Sequence, residues 1–426
     1  MEKFIIEGGI KLNGEVTPAG NKNAALPLIA ACLLTEEPVR LHNVPEIGDV
    51  KAMRHLLESL GVEVGDLGGN SWQITARTVK PANLDPDVTR KIRASILLAG
   101  PMTARAGELK LPPPGGDVIG RRRVDTHILA LKKLGADVTY GRSFHFKAES
   151  LRGADILLDE SSVTGSENAI MAAVLAKGTT ILRNAASEPH VQELCQLLNS
   201  LGGQISGIGS NTLTIEGVDR LHGGEFTIGP DYLEVISFVG AAAVTGGSVR
   251  IKKAGWQYLD MIRMVFNRMG VDWSVDGEDI VVPPGQHLEV EPDLGGMIPE
   301  IKTNVWPAFP TDLMSIAIVV ATQAKGSILF HDWMYPSRMF FIDKLVGMGA
   351  QVVLCDPHRC IVTGPARLFG EKVESPDIRA GMALVLAALA ADGRSQIRNI
   401  GQIDRGYDRV DEKLRSLGAN IERAVE

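Results

Sequence analysis

An α/β protein built from six repeats is the fold class this sequence predicts, and two recurring phrases predict it. In the first, an amphipathic helix ends at Leu-Gly or Met-Gly and a strand follows; the glycines are Gly61, Gly135, Gly202, Gly270, Gly349 and Gly418. Their intervals of 74, 67, 68, 79 and 69 residues make a regular period. Glycine suits this place because a helix that stops and turns into a strand needs a left-handed residue at its C-terminal cap. In the second phrase a small-residue apolar helix leads into a strand, in most copies through a glycine turn: AALPLIAACLL, RASILLAGPMTA, NAIMAAVLAKGTTI, EVISFVGAAAVTGGSV, DLMSIAIVVATQAKGSI and IRAGMALVLAALAADGRSQI. Helices that are apolar nearly all round belong inside a domain, and amphipathic ones outside. Six such units could close one ring or form two triplets, and they exceed the usual size of one core.

Composition narrows the function classes. The 426 residues are 45% hydrophobic but only 5% aromatic, which suits close helix-on-sheet packing. A net charge of -7 argues against a general nucleic-acid binder, so any anion must be met by a local concentration of cations. The start, MEKFIIEGG, is acidic and strand-like and lacks the pattern of a secretory leader. The most apolar runs, 24 to 34 and 380 to 391, are too short for the roughly 20 residues that span a bilayer. A cytoplasmic protein without membrane association is expected. Four scattered cysteines fit a reduced compartment. Cys355, His358 and Cys360 lie close together but lack a second ligand pair, so no metal site is expected.

The starts of the six apolar helices carry the polar residues: Lys22 and Asn23, Arg93, the run from Ser162 to Asn168, Asp231 and Glu234, Asp312, and Asp377 with Arg379. Capping accounts for several of them, particularly Asp312, Asp377 and Ser166. It does not account for Lys22, Arg93 and Arg379, because a cation at a helix start opposes the dipole. Their joint appearance predicts an anion site at converging helix N-termini. The stretch LPPPGGDVIGRRRVDTH, residues 111 to 127, adds an arm in which Asp117 stands just ahead of Arg121, Arg122 and Arg123. Prolines stiffen its entry, Gly115 and Gly116 loosen its tip, and helical pattern resumes at His127. Such long loops are more often lids or binding loops than spacers.

The phrases AGNKNAALP (19 to 27), KIRASILLAGP (91 to 101), PGGDVIGRRRVDTH (114 to 127), SSVTGSENAIMAA (161 to 173), PAFPTDL (307 to 313) and IDRGYDRVDEKLRSLGANI (403 to 421) resemble the UDP-N-acetylglucosamine 1-carboxyvinyltransferase family, in matching order along the whole chain. The resemblance implies the EPSP synthase-like enolpyruvyl transferase fold, a two-domain inside-out α/β barrel built from six repeats. It places the first three-repeat domain at residues 22 to 230, carrying the catalytic loop 111 to 123. The second combines residues 1 to 21 with 231 to 426, and the active site lies in the cleft between them. It also implies transfer of enolpyruvyl from phosphoenolpyruvate to the 3-hydroxyl of UDP-N-acetylglucosamine, with release of phosphate and without a cofactor.

By the same resemblance, Lys22, Arg122 and Arg405 grip phosphoenolpyruvate, with Arg93 and Arg379 nearby; bidentate guanidinium donors suit both of its anionic groups. Asn23 and Asp312 orient the sugar, Asp312 accepts the hydroxyl proton, and Asp377 supports the reacting centre. Val124 and Asp125 read the uracil. Ser162, Val163, Thr164 and Gly165 hold the diphosphate through hydroxyl and N–H groups at a helix start. Met334 and Arg338 are further candidate contacts of the substrates. Three departures stand out. Asp117 occupies the position where the commoner family loop carries the cysteine that protonates the methylene carbon and that fosfomycin alkylates, which implies fosfomycin resistance. Glu160 stands where many relatives have lysine. The phrases GPDYLEVISF and PSRMFFIDKL differ from the commoner ones, so Tyr232 and Glu234 are left outside the site. Two other readings are a sister transferase acting on shikimate 3-phosphate and a non-enzymatic six-repeat clamp around DNA. The clamp would require a basic lining throughout the repeats.

Overall fold

The computed structural model describes residues 2–116 and 123–425. Two compact units emerge, one running from Gly20 to Gly229 and the other combining the N-terminal residues through Ala19 with Pro230 onward. Each unit holds three small sheets, three buried helices and its own hydrophobic core. In the 20–229 unit the buried helices are Lys22–Ala31, Ala99–Ala106 and Val163–Ala173, and the amphipathic helices Gly48–Ser59, Asp125–Lys133 and Pro189–Ser200 accompany them. In the other unit Tyr232–Thr245, Met314–Gln323 and Ile378–Ala390 are buried, with Asp260–Asn267, Ile342–Gly347 and Val410–Ser416 as the amphipathic set. Each unit carries three of the six repeats.

The repeated glycine does the same work in every copy. All six of Gly61, Gly135, Gly202, Gly270, Gly349 and Gly418 have positive φ. In each repeat the N–H of the residue after the glycine returns to the carbonyl five residues earlier, at 2.8–3.1 Å, as Val62 does to Leu57 and Ala419 to Leu414. This left-handed closure satisfies helix-end carbonyls and turns the chain sharply into the next strand. Five of the six sheets have four strands and pair one parallel neighbour with antiparallel ones; the sixth, from residues 108 to 147, has three antiparallel strands.

The N-terminal strand Glu2–Glu7 lies between Arg394–Arg398 and Asn420–Val425, with Phe4 and Ile6 fully buried. Asn13–Val16 pairs in parallel with Ser248–Ile251. These pairings are why the first residues of the chain belong with its last. The three buried helices of this unit approach closely at Gly240, where a β-carbon would lie 2.9 Å from Leu386 Cδ2 and 3.0 Å from Ile316 Cγ2. A larger residue there would force side-chain shifts in a close-packed core. Among the described residues, no helix is long and apolar enough to cross a membrane.

Two local expectations change. The helix after the arm begins at Asp125, two residues before His127, so that an acid sits in its first turn and complements the dipole. Gly115 is not simply a loosening residue: a β-carbon there would lie 1.8 Å from the Arg90 carbonyl oxygen, so its lack of a side chain permits a close backbone approach.

Candidate active site

In the 20–229 unit, Asn21 caps the helix Lys22–Ala31, its side-chain oxygen accepting from the N–H groups of Asn23 at 2.8 Å and Ala24 at 3.2 Å. Lys22 is thereby fixed at the first helical position and buried, and Asn23 follows it half-buried. The Lys22 ammonium lies 2.7 Å from Asp49 Oδ2, in the first turn of the helix Gly48–Ser59. Asp49 went unnoticed in the sequence because a single acid in a helix's first turn reads as an ordinary complement to the dipole.

Arg93 opens the short 3₁₀ segment Arg93–Leu98, and its Nη2 donates to the Arg123 carbonyl at 2.6 Å. It therefore meets the far end of the arm. Asp117 and Arg122 lie outside the described residues. Beyond them, Arg123 donates to Asp125 at 2.9 Å and to Asp159 at 3.1 Å, while Thr126 Oγ1 donates to the other Asp159 oxygen at 2.7 Å. These bonds hold Val124 and Asp125 at the start of the helix Asp125–Lys133.

The Ser162 to Gly165 run begins a helix, as expected, but some of its groups already serve the fold. Ser162 Oγ caps the helix by accepting from Gly165 N–H at 3.2 Å. The Thr164 hydroxyl pairs with His127 Nε2 at 2.8 Å. Burial, reinforced by the Arg93 cation, pushes His127 down to about 3, so its imidazole is neutral near neutral pH. Val163 and Thr164 N–H stand in the first turn, where helix geometry supplies no acceptor. Ser166 is not a cap: its hydroxyl accepts from Ala186 N–H at 2.8 Å. Next to it, burial and then the Glu188 charge raise Glu167 well above its ordinary value, favouring the neutral acid.

The other unit brings two of its predicted residues, Arg338 and Arg379, together at Asp312. This residue is not a helix cap; it lies in the 3₁₀ turn Thr311–Leu313 ahead of the buried helix Met314–Gln323. Arg338 Nη2 donates to its Oδ1 at 2.8 Å and Arg379 Nε to its Oδ2 at 3.2 Å. Both guanidiniums are buried, 4% and 5% exposed, so their charges are only weakly screened by water. Burial works against the Arg379 charge, yet Asp312, Tyr407 and Asp231 outweigh it and hold the group above its ordinary range. The same contest at Arg338 is won by Asp312, Asp377 and Asp332. Arg379 Nη1 is buried with no hydrogen-bond partner among the described residues. A cationic donor in that state is ready for an anion.

Asp377 does cap its helix, accepting from the N–H groups of Arg379 at 2.8 Å and Ala380 at 3.0 Å, and so fixes the backbone that presents Arg379. Arg405 ends the 3₁₀ segment Ile400–Arg405, donating to Gln402 at 2.8 Å, while the preceding Asp404 takes both arms of Arg423 at 2.8 Å. Met334 N–H donates to Asp332 at 3.0 Å. Glu234, left outside the site, takes a structural part: it accepts from Lys413 Nζ at 2.6 Å and from Ala19 N–H at 2.7 Å. Among the described residues no group of three or more His, Cys, Asp or Glu side chains could hold a metal ion.

Each unit thus carries three repeats, with a buried cation at a helix start: Lys22 in one and Arg379 in the other. The family model described as EPSP synthase (3-phosphoshikimate 1-carboxyvinyltransferase) matches residues 6–414. The UDP-N-acetylglucosamine 1-carboxyvinyltransferase of Treponema denticola is 54% identical over 422 residues, with 99% of each chain covered. That of Bradyrhizobium diazoefficiens is 54% identical over 424 residues, covering 100% of this chain and 98% of the relative. The solved structure of the enolpyruvyl transferase NikO from Streptomyces tendae superposes with a TM-score of 0.88 at 24% identity, covering 100% of this chain and 99% of that one, and supports the fold. The chain belongs to the EPSP synthase family and, within it, to the UDP-N-acetylglucosamine 1-carboxyvinyltransferases. It is accordingly a transferase, and the clamp reading falls away.

Proposed function

We propose that this enzyme transfers the enolpyruvyl group of phosphoenolpyruvate to the 3-hydroxyl of UDP-N-acetylglucosamine in the cytoplasm, as the first committed step of peptidoglycan synthesis. The observation that carries the proposal is the buried pair of guanidiniums at Asp312, each with a buried donor, Arg338 Nε and Arg379 Nη1, that has no hydrogen-bond partner among the described residues, in a chain that shares more than half its residues with relatives named for this transfer. The chemistry asks for groups that hold a carboxylate and a phosphate, take a proton from a hydroxyl and give one to a methylene carbon.

In this reading Lys22, Arg93, Arg122, Arg379 and Arg405 hold phosphoenolpyruvate. Asn23 and Asp312 orient the acceptor sugar, Val124 and Asp125 meet the uracil, and the helix start from Ser162 to Gly165 receives the diphosphate. The sugar oxygen bonds to C2 of phosphoenolpyruvate while Asp312 accepts the hydroxyl proton and Asp117 delivers one to the methylene carbon. The tetrahedral intermediate then loses a proton from its new methyl group and expels phosphate, restoring the double bond. Asp312, held between two guanidiniums, is an orienting anion as well as a base. Asp377 supports the centre through the Arg379 backbone, and Arg338 through Asp312.

The test is phosphate release from phosphoenolpyruvate with each acceptor in turn. Release is expected with UDP-N-acetylglucosamine and not with shikimate 3-phosphate; the reverse result would replace this reading with the sister reaction. A second expectation follows from Asp117. With no thiol at that position, exposure to fosfomycin should leave activity unchanged over the time in which a cysteine-loop relative is fully inactivated, and rapid irreversible loss would contradict it.

A further inference from the structure

Asp332 follows the strand Gly326–His331 and is fully buried. Its Oδ1 accepts from Thr303 Oγ1 at 3.1 Å and from Met334 N–H at 3.0 Å; its Oδ2 accepts from Thr311 Oγ1. From behind, its N–H donates to the His358 carbonyl at 2.8 Å, and its own carbonyl lies 2.6 Å from His358 Nδ1. A carbonyl only accepts, so that nitrogen carries the proton. The residue's backbone is thus pinned to the turn of the hairpin formed by Gln351–Asp356 and Arg359–Gly364, which leaves its carboxylate for Thr303, Thr311 and Met334.

What it reaches is specific. Thr311 is the residue before Asp312, and Met334 is another predicted substrate contact in this unit. Asp312 gives one oxygen to Arg338 and the other to Arg379, and its place in the site depends on the turn that carries it. The Thr311 hydroxyl ties that turn to Asp332, which is its acceptor. Only a carboxylate offers acceptors on both sides to three donors at once; an amide has one oxygen. A buried carboxylate is expensive to keep in a core, so a site that needed only packing would do as well with a neutral residue.

We propose that Asp332 is a positioning residue for the acceptor sugar, setting the Thr311–Asp312 turn and the Met334 backbone at a fixed separation. The inference rests on the reading that Asp312 and Met334 meet UDP-N-acetylglucosamine. Thr311→Val removes the link while keeping Asp332 and the side-chain shape, and Asp332→Asn removes one of its acceptors. Each is expected to raise the KM for UDP-N-acetylglucosamine about tenfold and to lower kcat, as loss of a hydrogen bond to a charged group would, with the KM for phosphoenolpyruvate unchanged. The double variant should cost less than the sum of the two single ones, because both act on one hydrogen-bond network. Wild-type constants in a folded Thr311→Val enzyme, or a fall in active fraction with both KM values unchanged, would overturn the proposal. If Asp332→Asn does not fold, Thr311→Val decides alone. Asp312→Ala separates the two levels: full turnover in that variant removes the underlying reading, whereas its loss beside an unaffected Thr311→Val removes only the role of Asp332.

Discussion

Asp117→Asn is expected to lose most of its turnover, on the order of 10²–10⁴-fold if the carboxyl is the acid that protonates the methylene carbon. The amide keeps size and polarity but has no transferable proton. The demand on the native residue is severe. An unperturbed aspartate titrates near ~3.9 and a cysteine near ~8.5, and Asp117 is followed closely by Arg121, Arg122 and Arg123, whose charges favour the ionised form. Protonation at the moment of transfer therefore has to come from the bound anions of the substrates and from exclusion of water, both of which favour the neutral acid. Asp117→Cys should retain turnover, because a thiol is an acid already suited to the task, and should acquire irreversible inactivation by fosfomycin. Steady-state rates on the three enzymes check both statements. An active Asn variant would sink the acid role, and a fosfomycin-insensitive Cys variant would mean that the loop does not present the residue at position 117 to the reacting carbon.

The parts of this fold legible in the sequence are those dictated by local geometry. A glycine that must be left-handed, followed by a strand, can be seen in one dimension, and all six copies close as that reasoning requires. Apolar helices declare their burial in the same way, and of the caps expected at Asp312, Asp377 and Ser166 only Asp377 is one, the helix that contains Ser166 being capped by Ser162. What stayed hidden is pairing across the chain. Asp312 looked like a cap because its neighbours in sequence allow it, whereas its bonds go to Arg338 and to Arg379, the latter 67 residues away. Asp49 and Asp332 carry no motif, and their importance comes from whom they face after folding. A lone buried carboxylate is costly, and the fold tolerates one only where donors converge on it. That rule identifies such residues from a structure but not from a string of letters.

Lys22→Ala is expected to damage the enzyme in two separable ways. Its ammonium and the Asp49 carboxylate are each about 8% exposed and lie 2.7 Å apart. Removing one partner of such a buried pair costs about 3–5 kcal/mol, because the remaining charge loses its counter-ion in a poorly solvated place. For a unit of this size that corresponds to a drop of roughly 6–20 °C in Tm, at about 2–4 °C per kcal/mol. If Lys22 grips phosphoenolpyruvate as proposed, its loss should independently reduce kcat/KM by about 10²–10³-fold, the cost of deleting one donor aimed at developing negative charge. The double variant Lys22→Ala, Asp49→Asn divides the effects. Neutralising Asp49 removes the stranded charge, so most of the lost Tm should return, while activity stays low because no ammonium has been restored. Thermal unfolding and kcat/KM measured on the same preparations read the two effects apart. Recovery of activity along with Tm would mean that Lys22 serves the fold alone, and failure to recover Tm would mean that the pair with Asp49 is not what the first substitution disturbed.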